Sequence, residues 1–184
     1  MSNDPGEAVR PTDAVGRLLF GAAKALAVFG GGLCCLMAAM VTVSVSGRYL
    51  FSAPIPGDYD LLAILSGCAA FAFLPYCQMT RGNVVVDFFT TNTSPRAKAV
   101  LDAVGTLLYL MVAILFAWRL YYGGLELRAN AEVLANFNFY RWWTVPFDLV
   151  CMAVLIAAIA YTLVRDIDDA RSGRPPAQAV VEEV

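Results

Sequence analysis

The side chains able to do chemistry are few and poorly grouped for it. Histidine is absent, and the five cysteines, Cys34, Cys35, Cys68, Cys77 and Cys151, include no C-x-x-C pair. Zinc sites usually draw on at least one imidazole, and four-helix membrane cytochromes hold haem between histidines, so neither centre has its usual ligands. Thiol–quinone oxidation needs accessible thiolates in pairs. Here Cys34 and Cys35 fall in the middle of an apolar run and Cys77 near the end of another, so the cysteines read as small buried hydrophobes. No cofactor, no metal and no catalysis are expected. Asp148 is the one acid set inside an apolar run, with Arg48 and Arg141 as candidate ion-pair partners at the membrane interface.

The elements that position these groups follow from composition. Of 184 residues, 59% are hydrophobic and 15% charged, against about 25% charged in a soluble domain. Too little polar surface is available to wet a globule, and the apolar residues are gathered into four runs. Ala25–Gly47, Leu61–Thr80 and Ala103–Trp118 carry no charge, and Val145–Val164 carries only Asp148. A helix of about 20 apolar residues crosses hydrocarbon. The third helix is expected to begin earlier, at the Ser94-Pro95 cap, and to reach Tyr122 with Arg119 snorkelling toward headgroups. Pro75 is placed to kink the second. The fold class is therefore an all-α membrane protein with four transmembrane helices, spanning about 25–47, 61–80, 99–122 and 145–164 within a domain covering 25–164.

Orientation comes from the basic residues. Arg10, Arg17, Lys24, Arg81, Arg96, Lys98, Arg165, Arg171 and Arg174 lie on one side of these spans, and Arg48, Arg119, Arg128 and Arg141 on the other. The positive-inside rule puts both termini and the middle loop in the cytoplasm. Residues 1–24 form the cytoplasmic N-terminus. In it Asp13, Arg17 and Lys24 oppose Val15, Leu18, Leu19, Ala22 and Leu26, the pattern of a short interfacial amphipathic helix before the first span. Residues 165–184 mix acid and base, contain Pro175-Pro176, and read as a disordered tail. A net charge of −2 excludes a nucleic-acid partner.

Two further features bear on partners. Gly30, Cys34, Ala38, Thr42 and Ser46 put a small residue at every fourth position of the first span, a stripe suited to close helix contact. Beyond the third span, Tyr121, Tyr122, Phe137, Phe139, Tyr140, Trp142 and Trp143 crowd an outer loop, together with Glu126, Arg128, Glu132 and three asparagines. The aromatics suit the headgroup level, and the polar side suits a protein partner. The spans offer no charge relay of the kind a self-sufficient ion-coupled carrier needs.

Three segments resemble the small membrane subunit of tripartite ATP-independent periplasmic (TRAP) transporters, the DctQ family. Arg48-Tyr49-Leu50-Phe51 is similar to the family's R-Y-x-F. Ile55-Pro56-Gly57-Asp58-Tyr59-Asp60-Leu61 resembles its approach to the second span, with Asp60 where Glu is usual. Arg81-Gly82-Asn83-Val84-Val85-Val86-Asp87 resembles its inner loop, with Asn83 where His is common. The resemblance implies a multi-pass protein of the bacterial inner membrane that braces a large elevator-type membrane subunit. It also implies sodium-coupled uptake of an organic acid delivered by a periplasmic binding protein. Arg48, Asp58, Asp60, Glu126, Arg128 and Glu132 are then candidate contacts to the periplasmic partner, and lipid surrounds the rest. The rivals are the small subunit of a tripartite tricarboxylate transporter, a standalone oligomeric transporter, and a membrane thiol–quinone oxidase.

Overall fold

A computed structural model of the chain describes residues 14–51, 57–80, 95–133 and 139–172. Four helices carry the fold: α1 (Ala14–Phe51), α2 (Asp58–Met79), α3 (Pro95–Ala129) and α4 (Val145–Ser172). Each contains a segment long and apolar enough to cross a membrane. In hydrocarbon every backbone N–H must find its acceptor within the segment, which makes a helix the only open-ended solution for such runs. Among the described residues no strand forms, only an isolated antiparallel bridge between Val133 and Tyr140.

Local chemistry sets the ends. Gly57, at φ 80° and after Pro56, adopts a left-handed turn that a side chain would strain, and its carbonyl accepts the Leu61 N–H at 3.1 Å. Thr80 closes α2 by donating its hydroxyl to the Tyr76 carbonyl at 2.9 Å. Pro95 opens α3, as the Ser94-Pro95 pair predicts. Pro75 sits buried inside α2, which continues past it to Met79.

Three helices outrun their expected bounds. Residues 14–24 are the first turns of α1, where the sequence pattern predicts a separate helix; no proline interrupts the hydrogen-bond ladder between them and the span. α3 continues through 123–129, past the expected end at Tyr122, with Leu120 against the α3–α4 core and Gly124 against Val145 of α4. α4 runs to Ser172, so the first residues of the expected disordered tail are helical. The rest of that tail, the extreme N-terminus and the inner loop 81–94 lie outside the described residues.

α4 is the hub. Its buried residues Val145, Asp148, Met152, Leu155, Ile159 and Thr162 alternate spacings of three and four, the pattern that lets helices cross at a shallow angle with interlocking side chains. α3 answers with Thr106, Leu110, Ala113, Ala117, Leu120 and Gly124, at the same alternation. Ala113, Met152, Leu155 and Ile159 form the core, and Phe71 and Leu74 of α2 close over it. α2 and α4 run parallel, since Cys68 lies beside Asp148 and Gln78 donates to Thr162 at 2.9 Å. α1 lies antiparallel on α2, joined by Ser44–Asp58 at one end and the Phe20–Tyr76 rings at the other. Its contact with α4 is lighter and includes Phe29 against Phe147 at 5.3 Å.

Two glycines permit the closest approaches. A Cβ on Gly30 would lie 3.2 Å from Ala72 Cβ and 3.3 Å from Phe73 Cζ, and one on Gly124 would lie 2.5 Å from Val145 Cγ1. Gly123, its neighbour, faces open space. Gly124→Ala is therefore expected to destabilise the chain by about 1–3 kcal/mol through overpacking. Gly123→Ala should be neutral or stabilising by up to about 1 kcal/mol. Parallel unfolding titrations in detergent micelles check the contrast.

Candidate partner-binding surfaces

Arg48 and Asp58 face each other across the α1–α2 connection. The Arg48 Nη2 lies 3.8 Å from Asp58 Oδ2, and the same oxygen accepts the Ser44 hydroxyl at 2.6 Å. The other oxygen, Oδ1, accepts the backbone N–H of Tyr59 at 2.9 Å. Asp58 is the first residue of α2, where the helix dipole favours an anion. Its carboxylate is thus committed within the chain, and Arg48 remains half-exposed beside it. Asp60, two residues on, is exposed.

The second outer cluster lies at the end of α3. Glu126 and Arg128 occupy its last turns and Glu132 follows, all exposed. The chain then returns through the Val133–Tyr140 bridge, with the Arg141 N–H donating to the Glu132 carbonyl at 3.0 Å. A 3-10 turn, η1 (Arg141–Trp143), follows. The Arg128 guanidinium lies over the Trp142 ring at 5.3 Å, Trp142 meets Trp143 edge-on, and Trp143 meets Phe139. Of the aromatics expected in a loop, Tyr121 and Tyr122 lie within α3, whereas Phe139, Tyr140, Trp142 and Trp143 form a folded cap between α3 and α4; Phe137 lies outside the described residues. The six candidate contacts accordingly divide between two sites. Arg48, Asp58 and Asp60 belong to one, and Glu126, Arg128 and Glu132 to the other.

Asp148 does not meet Arg48. It is buried on α4 beside the thiols of Cys68 and Cys151, and its Oδ1 has no hydrogen-bond partner. The reason is depth: Cys68 stands ten residues along α2 from Asp58, a rise of about 15 Å. Asp58, itself held by the Ser44 hydroxyl, reaches Arg48 first. No ion pair joins Asp148 to Arg141 among the described residues.

The small-residue stripe of α1 is divided by the structure. Gly30 packs on α2, but Cys34, Ala38, Thr42 and Ser46 are exposed. Each four-residue step turns about 40° past a full circle, so Ser46 lies about 160° round from Gly30. The buried positions instead recur near sevens: Gly16, Ala23, Gly30 and, two repeats on, Ser44. That spacing is the signal by which Ser44 could have been found. Cys34 and Cys35, expected to be buried, face outward, while Cys68 and Cys151 are the buried pair.

The DctQ component of tripartite ATP-independent periplasmic transporters is the family whose profile matches, over residues 37–169. The chain belongs to the DctQ family. The match covers well over half the sequence and runs from the second half of α1 through α4. Comparison with curated proteins and with solved structures gives no match. As a DctQ protein it is a multi-pass inner-membrane component of a TRAP transporter, a transporter-subunit family and not an enzyme family.

The Asp58 cluster yields a quantitative expectation. A double-mutant cycle between Ser44→Ala and Asp58→Asn should show coupling of about 1.5 kcal/mol, the worth of a hydrogen bond to a charged group. Arg48→Gln should cost less than about 1 kcal/mol, because its guanidinium is half in solvent. Unfolding midpoints in detergent give both values.

Proposed function

We propose that this chain is the scaffold of its transporter: it braces the large elevator-type membrane subunit during sodium-coupled, binding-protein-dependent uptake of an organic acid. Membership in the DctQ family carries the reading. What supports the scaffold role is the disposition of charge. The spans are charge-free over Ala25–Gly47, Leu61–Thr80 and Ala103–Trp118, and the one acid inside an apolar run, Asp148, is enclosed between helices of the same chain. A moving carrier places its ion-binding groups on a cavity; a brace needs packing faces. The exposed small residues Cys34, Ala38, Thr42 and Ser46 wind around the outward side of α1 and leave it open to close approach by a partner helix.

In this reading both termini and the 81–94 segment are cytoplasmic, with Arg17 and Lys24 at the headgroups. The Arg48–Asp58 pair and the α3 cap then face the periplasm and the binding protein. Of the six outer charges, Asp60, Glu126 and Glu132 are the most available, since Arg48 and Asp58 hold each other and Arg128 rests on Trp142.

Co-purification with the large subunit from mild detergent is the expected result for the full system. Sodium-dependent uptake by this chain alone in liposomes would overturn the scaffold role. Charge reversal at Asp60, Glu126 and Glu132 together should lower uptake several-fold while the membrane complex stays assembled. Unchanged uptake in that triple variant places the docking site elsewhere.

A further inference from the structure

The flank of α3 turned away from α4 carries large apolar side chains and one cation. Leu108, Leu115 and Tyr122 follow one another there at intervals of seven, each more than half exposed. Arg119 lies between the last two, four residues beyond Leu115 and three before Tyr122, which makes all three neighbours on one helix face. Trp118, 63% exposed, stands beside it and meets the Tyr122 ring at 5.5 Å.

Two other cations are already engaged, Arg48 with Asp58 and Arg128 with Trp142. Arg119 is exposed and has no ion pair, hydrogen bond or ring contact among the described residues. It is also not at the end of its helix. Gly124 packs against Val145, so Arg119 lies a further five residues into the span, a depth of about 7 Å below the start of α4. A guanidinium on an apolar flank at that depth must reach an anion or carry its hydration inward. Its planar fork of donors matches a phosphate, and the Trp118–Tyr122 pair is of the type that settles at the headgroup boundary.

We propose that Arg119, framed by Trp118 and Tyr122, binds the phosphate of a phospholipid in the leaflet on the η1 side. The acyl chains then lie along Leu115 and Leu108. The size of the neighbouring side chains favours lipid over a partner helix, since helix contacts in membranes select small residues. The inference depends only on α3 crossing the membrane, so its failure leaves the scaffold reading untouched.

Trp142→Phe with Trp143→Phe leaves Trp118 as the sole tryptophan of the full chain. This variant is placed in nanodiscs of phosphatidylglycerol mixed equally with a phosphate-free glycosyl diacylglycerol, with bromine on the acyl chains of one or the other. Quenching should report about fivefold enrichment of the phospholipid at Trp118, which is about 1 kcal/mol. Arg119→Gln should abolish the enrichment and Arg119→Lys should retain part of it. Equal quenching by both lipids, or enrichment that survives Arg119→Gln, overturns the proposal. Native mass spectrometry of the chain with all three tryptophans present provides the second measurement, with fewer retained phospholipids expected in Arg119→Gln. If the co-purified large subunit shields Trp118 from both brominated lipids, the flank is a protein interface and the proposal fails.

Discussion

Helices inside hydrocarbon gain nothing by leaving lipid for one another unless their surfaces fit, because no water is expelled when they meet. The fold answers that constraint by letting backbones come close along α4 and α2. Gly124 admits the Val145 side chain, Gly30 admits Ala72 and the edge of Phe73, and Ala113 sits in the α3–α4 core. The alternating spacing of three and four along α3 and α4 keeps these small positions in register over the length of the contact. α4 is consequently the most enclosed helix, and α1 and α3 are the ones left facing outward.

Polar groups enter this packing sparingly. Gln78 donates to Thr162, whose own hydroxyl donates to the Ile159 carbonyl, tying α2 to α4 toward one end. Ser44, Arg48 and the Tyr59 N–H converge on Asp58 at the other end of α2. These contacts fix α2 at both of its ends without placing an open charge along its length. Asp148 is the exception, and it is folded inward among thiols where no partner helix can reach it. Such an arrangement leaves most exposed charges toward the helix ends and the exposed side chains on the flanks of α1 and α3.

Much of this could be read from particular residues before any coordinates. The four apolar runs and the Ser94-Pro95 start all correspond to helices or their ends. The motif around Arg48 and the approach to the second span pointed to the family that the profile match then showed. Less legible were the helix ends: the pattern of 14–24 suggests a separate interfacial helix, and 123–129 and 165–172 read as loop and tail, yet all three continue the neighbouring helices. Hydropathy marks where a chain enters lipid, whereas a helix stops only where its backbone ladder is broken.

The sequence by itself determined the four apolar helices and the helical class, because these depend on composition and on runs along one chain. Which faces meet was a different matter. The four-residue stripe on α1 winds off its own helix face, and only the packed structure shows that Gly30 belongs with Ser44 and not with Ser46. Likewise only the relative depth of α2 and α4 assigns Arg48 to Asp58 and sets Asp148 beside Cys68. Facing is a property of two helices at once, set by their rotation, offset and tilt; a spacing along one helix, such as the sevens that lead to Ser44, marks a face without naming what it meets.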